Sequence, residues 1–206
     1  MPQNTTLNQI QPPLHYPVPS MPVDTICVSF HFMSQDYQQC DVSDSTGTKH
    51  TEIRSTFKDN GEYITEFIRP AQTPGYAQIL YPSHANPTGW VEVNGGRTVA
   101  RQLCKAWLRR NRATAADTFR YMRVGSSTRE YSWYELGHRW NGFRLLSWSA
   151  EFSSKEIAWT NPISDGFQLY LRKDCEEILL PCIVAAFMLW RFPDRRHIYP
   201  LLLDDI

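Results

Sequence analysis

The densest run of side chains able to do chemistry is Lys105-Ala106-Trp107-Leu108-Arg109-Arg110-Asn111-Arg112, with Arg97 and Arg101 upstream. Arginine meets anionic oxygens through a planar fork of donors and lysine as a compact point charge, so Lys105, Arg109, Arg110 and Arg112 suit phosphate. Trp107 among them suits a membrane interface, where an indole sits at headgroup depth beside cations that attract anionic lipid. Nucleic-acid phosphate would answer the same charges. A solvated rim segment, whose apolar residues cover the end of a fold, would carry the same pattern. Lys105, Trp107, Arg109, Arg110 and Arg112 are the candidate ligand-binding residues, and an anionic phospholipid or phosphoinositide is the ligand class they favour.

Little else points to chemistry. The chain has no G-x-S-x-G, no Walker A loop, no G-x-G-x-x-G and no H-E-x-x-H, so no catalytic residue is assigned and a non-enzymatic role is expected. Cys104 and His138 would form a thiol–imidazole pair only if the fold brought them together, and a lone cysteine is more often a small buried hydrophobe. The six histidines lack ligand spacing, and Cys27, Cys40, Cys104, Cys175 and Cys182 include no C-x-x-C pair. Neither a metal nor a cofactor is expected, and the thiols read as reduced. Trp90, Trp133, Trp140, Trp148 and Trp159 could stack on sugars in a carbohydrate-binding β-sandwich. A period of two, as in Tyr131 and Trp133, instead gives each strand one apolar face toward a core.

Composition narrows the partners. The 206 residues carry 21 Lys+Arg against 21 Asp+Glu, a formal net charge of zero, so no global field draws the chain to nucleic acid and a local patch must do any such work. With 42% hydrophobic and 13% aromatic residues the chain is globular rather than disordered. Met1 to Met21 lacks the basic and apolar regions of a secretion signal, so a cytoplasmic protein, peripheral at membranes if it binds them, is expected.

The elements that must position these residues divide the chain in three. Residues 1–23 hold prolines at 2, 12, 13, 17, 19 and 22 among Gln, Asn and Thr, a disordered arm whose Gln11 to Pro17 stretch could engage SH3- or WW-type grooves. A protein-interaction scaffold using that arm is the alternative function. Residues 24–192 form the folded domain, and 193–206 a C-terminal tail. Within the domain, short β-branched and aromatic runs alternate with turn residues. Strands are expected at 26–33, 39–42, 48–57, 63–68, 90–93, 119–124, 130–136, 143–148, 156–160 and 167–172, with turns at Asp44 to Gly47, Lys58 to Gly61, Asn94 to Gly96 and Asn161 to Gly166. Ala100 to Arg110 spaces Leu103, Trp107 and Leu108 as a short amphipathic helix, or a loop lying on the barrel wall, would.

The clearest helix runs from about 174 to 192, with Asp174 as N-cap, acids in the first turn and Pro193 beyond its end. Ile178 to Trp190 is apolar all round, so protein must surround it, yet it falls short of the ~20 residues that span a bilayer. Pro181 should kink it. Cys175 and Cys182 on one helix would lie ~10 Å apart, too far for a disulfide.

Many short antiparallel strands followed by one wholly apolar C-terminal helix resembles the tubby C-terminal superfold, which includes LURP-one-related proteins and phospholipid scramblases. Phe119-Arg120-Tyr121-Met122-Arg123-Val124-Gly125-Ser126-Ser127-Thr128-Arg129-Glu130-Tyr131-Ser132-Trp133 is similar to the "F-R … G … Y-x-W" phrase of a fungal family of unknown function in that superfold. A hairpin like Val91 to Gly96 precedes that phrase in the family, and strands like Phe143 to Leu146, Glu156 to Trp159 and Phe167 to Leu171 follow it. The chain departs in a longer spacing from Tyr134 to Phe143, in Pro181 and in the tail. The resemblance implies a mainly β (α+β) fold, a closed antiparallel barrel of about twelve strands around the C-terminal hydrophobic helix. Through its wider relatives it implies a membrane-associated protein that handles lipid or binds phosphoinositide.

Overall fold

The structure, a computed structural model, describes residues 24–33, 38–70, 75–81, 89–110, 119–125, 130–135, 142–148 and 154–191. The arm 1–23 and the tail 193–206 lie outside them. Thirteen strands follow one another: β1 (Thr25–Phe32), β2 (Gln39–Asp44), β3 (Lys49–Phe57), β4 (Tyr63–Ile68), β5 (Ala77–Tyr81), β6 (Trp90–Val93), β7 (Val99–Leu103), β8 (Arg109–Arg110), β9 (Phe119–Arg123), β10 (Glu130–Glu135), β11 (Phe143–Trp148), β12 (Ser154–Ile163) and β13 (Gly166–Arg172). A one-turn helix, α1 (Cys104–Trp107), separates β7 from β8. A 3-10 segment (Lys173–Ile178) leads into α2 (Leu179–Arg191).

All thirteen strands form one antiparallel sheet in the order β7-β6-β5-β4-β3-β2-β1-β13-β12-β11-β10-β9-β8. Each neighbour is the preceding or following strand except where β1 pairs with β13, so two meanders join at the middle of the sheet. The sheet curls into a nearly closed barrel around α2. This is the architecture the resemblance implies, the thirteenth strand being the two-residue β8.

Alternation explains the closure. Val28 and Phe30 of β1, Cys40 and Val42 of β2, Ile53 of β3, Phe67 of β4 and Phe167, Leu169 and Leu171 of β13 are buried on the inner face. Against them lies α2, whose residues from Cys182 to Met188 are all essentially inaccessible. Phe30 stacks on Phe167 at 4.1 Å, Phe167 stacks on Trp190 at 4.6 Å, and Phe187 meets Phe67 edge-on at 5.5 Å. Hydroxyls on the inner face pair with one another, Ser55 with Thr65 at 2.8 Å and Thr51 with Tyr76 at 3.2 Å, which removes the cost of burying them alone. Among the described residues no helix is long and apolar enough to cross a membrane.

The structure corrects five local expectations. Ala77–Tyr81 is a strand that pattern alone did not reveal, and the helix expected at Ala100 to Arg110 is a strand, one helical turn and a two-residue strand. The turn expected at Asn161 to Gly166 is shorter, because β12 continues through Pro162, opposite Phe167, to Ile163. Asp174 is no N-cap: its carboxylate accepts from Arg172 at 2.9 and 3.0 Å and from Lys155 at 3.3 Å, and the helical segment starts without a side-chain cap. Nor does Pro181 kink the helix. The departure from helical geometry is at Cys175 (φ −123°, ψ 22°), while Pro181 sits in the first turn of α2, just after the 3-10 segment gives way to it.

Candidate functional site

The basic run falls at the one place where the sheet does not close by pairing. The ladder ends at β7 on one side and β8 on the other. The Asn94-Gly95-Gly96 turn, in left-handed geometry at all three residues, folds β7 back along β6, and the chain then tightens into α1 to cross the gap. Three hydrogen bonds tie this seam. The Cys104 N–H donates to Gly89 O at 2.8 Å, the Gly125 N–H to Thr98 O at 2.7 Å, and the Trp107 indole Nε1 to Arg123 O at 3.0 Å. Trp107 is 1% exposed and Leu108 is fully buried, so both are pegs that plug the gap from within.

The candidate residues are therefore split by their roles. Trp107 does not reach the surface, because its ring and N–H complete the barrel wall. Lys105, two residues earlier on α1, is exposed, as are Arg97 before β7 and Arg101 within it. Arg109 is exposed on β8, with its guanidinium 2.5 Å from a Glu130 carboxylate oxygen and 5.6 Å above the Tyr121 ring. Arg123 approaches the same carboxylate at 3.6 Å. Arg110 is paired with Arg120 across β8 and β9. Arg112 lies outside the described residues.

The aromatic that does accompany these cations is Trp90. It opens β6 opposite Leu103 of β7, is 38% exposed, and has the Arg101 guanidinium 5.7 Å above its ring. A cation over an indole face is held by the ring quadrupole. Sequence reasoning counted Trp90 with the scattered tryptophans because it stands well upstream of the run. The signal was the Asn-Gly-Gly turn, which lays Trp90 beside residues 101–103. The sugar-stacking set fares otherwise: Trp133 is fully buried and Trp159, 6% exposed, stacks on Tyr170 at 5.2 Å. The side chain of Trp148 and the whole of Trp140 lie outside the description.

Cys104 begins α1 with its thiol buried, and burial pushes its pKa up to about 12, which suppresses the thiolate a nucleophile needs. His138 is outside the described residues. The five cysteines are free thiols, and among the described residues no three His, Cys, Asp or Glu side chains gather as metal ligands. The proline-rich stretch from Gln11 to Pro17 is likewise outside.

Neither a protein-family profile nor a curated protein sequence matches the chain. Among solved structures, the X-ray structure of an Arabidopsis thaliana protein is similar at 9% identity, over 80% of this chain and 90% of that one, with a TM-score of 0.39.

Proposed function

We propose that this protein is a non-catalytic module that binds the surface of an anionic membrane, phosphoinositide-bearing lipid included, through the cations at the seam of its barrel. One observation carries the reading: Arg97, Arg101, Lys105, Arg109 and Arg123 are all exposed around the gap, with Trp90 presented beside them, while strands β6 to β9 contribute one carboxylate, Glu92, and Glu130 opens β10. Arg110 and Arg112 extend the same run in sequence. Each cation near an anionic surface is worth ~1 kcal/mol, and salt screens the attraction within ~10 Å at 0.1 M ionic strength. Arg101→Ala, Lys105→Ala and Arg109→Ala together therefore weaken binding to phosphatidylcholine vesicles carrying phosphoinositide or phosphatidylserine by roughly a hundredfold. Sedimentation with vesicles at low and high salt reads this. Binding to anionic vesicles that ignores both the substitutions and the salt overturns the reading.

A further inference from the structure

Among the described residues, the large apolar side chains left exposed are Met33, Phe57 and Trp90, at 65%, 49% and 38%. They come from three different parts of the sequence and share one end of the barrel. Met33 follows the last residue of β1, and its N–H donates to Gln39 O at the start of β2. Phe57 ends β3 in register with Tyr63 and, beyond it, Tyr81. Trp90 opens β6 one rung from Tyr81, opposite Leu80. The Ser55 N–H donates to Gln38 O, tying the β1–β2 connection to the end of β3. This is also the end at which α2 finishes, since Phe187 lies 6.3 Å from Phe32 and Trp190 stacks on Phe167.

The two ends of the barrel differ in kind. Behind Phe57 stand the buried rings of Tyr63, at 4.4 Å, and Tyr81, 6.0 Å from Tyr63, which seat Phe57 on the core and leave it as the exposed ring of the row. Among the described residues of this rim, the carboxylates Glu62 and Asp165 face Lys58 at 3.6 Å and His31 at 2.8 Å, and Asp59 is exposed beside them. Lys105 and Arg101 border it from the seam. The opposite rim carries the Asp44 to Gly47 turn, the Asn94 to Gly96 turn with Arg97, the end of β9 with Arg123, and the start of the helical segment, where Lys173, Asp174, Glu176 and Glu177 are exposed, so both signs of charge meet there.

We infer that the rim bearing Met33, Phe57 and Trp90 enters the interfacial layer of an anionic bilayer, so that the barrel stands on the membrane with the C-terminal end of α2 downward. The inference rests on the lipid reading of the seam and adds to it a depth and an orientation. Charge brings Arg101 and Lys105, which border this rim, to the headgroups; the three apolar side chains then gain from leaving water, a gain that salt does not screen.

The test uses the whole chain, a triple variant Met33→Ser, Phe57→Ser, Trp90→Ser, and the seam triple described above, each checked for an unchanged unfolding midpoint. On a phosphatidylcholine monolayer, where charge contributes little, the wild type and the seam triple raise the surface pressure and the rim triple does not. On vesicles carrying phosphatidylserine at high salt, the wild type keeps residual binding that the rim triple loses by roughly tenfold or more. If the rim triple inserts and binds as the wild type does, the rim is overturned while the seam reading stands. If the wild type inserts into the monolayer but anionic vesicles give no salt-dependent binding, the seam reading fails and the rim survives it. A wild-type dimer that the rim triple abolishes, without monolayer insertion, overturns the bilayer in favour of a second copy of the chain.

Discussion

Where β13 meets β1 the wall is a continuous ladder from Thr25–Arg172 to His31–Gly166, whereas β7 and β8 never pair and the gap between them is crossed by a single helical turn. The laddered wall stacks Phe30 on Phe167 and Phe167 in turn on Trp190 of α2. Its backbone approach is so close that Gly166 leaves no room for a side chain. At the seam the work falls to side chains and isolated hydrogen bonds: the Trp107 indole on Arg123 O, Gly125 on Thr98 O, Leu108 as filler. A sheet can therefore be closed by plugging as well as by pairing. The plugged stretch leaves short strands and turns free to carry exposed cations, which a ladder under continuous pairing would space two residues apart on one face.

The buried side chains of both regions belong to one core with α2, so the largest effect comes from there. Ala186→Asp places a carboxylate at a fully buried position with no partner, at a cost of several kcal/mol, enough to unfold a marginally stable domain. Circular dichroism and solubility are expected to report an unfolded or insoluble chain; a soluble variant with a cooperative transition would mean that the helix does not organise both walls.

Next in size is the laddered wall. A methyl group at Gly166 would lie 1.9 Å from the Phe30 carbonyl oxygen and 2.9 Å from its carbon, both backbone atoms that cannot rotate away. Gly166→Ala is expected to cost about 3 kcal/mol, the upper part of the range for overpacking. Chemical denaturation should show a lower midpoint with an unchanged slope. An unperturbed midpoint would show that this wall is looser than its register.

The seam should respond less and more locally. Trp107→Phe keeps most of the buried ring but removes the N–H that Arg123 O accepts, for a net cost of about 1 kcal/mol. Amide hydrogen exchange distinguishes this from a global loss: the Gly125 amide, bonded across the seam, should exchange faster while amides of β13 and β1 keep their protection. Uniform loss of protection would mean that the two regions open together.

The smallest effect is that of acid, and it falls on the laddered side. Hydrogen bonds from Thr46, His31 and Arg172 hold the carboxyls of Asp44, Asp165 and Asp174 below the usual carboxylate range, and all three flank β1, β2, β12 or β13. A depressed folded pKa contributes stability that is present above the ordinary carboxylate value and is lost as pH falls through the folded one. His50 adds the same sign earlier: burial, helped by Arg69, lowers its pKa, so it favours the fold above about pH 6.5 and gives that up as pH drops through the folded value. The unfolding temperature should decline modestly below pH 6.5 and again below pH 4. A flat profile would remove these groups from the account of the wall.

Local pattern sufficed for much of this. Ile178 to Trp190 could be read as a surrounded helix because no face of it is polar, and strands such as β13, with Phe167, Leu169 and Leu171 inward, could be read because a period of two has one meaning. Ala77–Tyr81 escaped because it is short and stands alone between turn-rich stretches. Residues 99–110 misled because Leu103, Trp107 and Leu108 fit a helical period, although only Cys104–Trp107 is helical and two hydrogen-bonded edges claim the rest.

What the chain by itself determined was the inventory: a β-rich domain, one apolar helix to fill it, and a cluster of cations near residue 105. Which of two tryptophans would stand among those cations was decided only when the sheet curled, because periodicity assigns a residue to a face but does not say where the sheet ends. Trp107, inside the basic run, became the plug because the ladder stops beside it and the gap had to be filled with apolar volume. Trp90, outside the run, became its exposed companion because a left-handed turn at Asn94 to Gly96 laid β6 against β7. The shared rim of Met33, Phe57 and Trp90 has the same origin, since antiparallel register alone brings residues so distant in sequence to one end of the barrel.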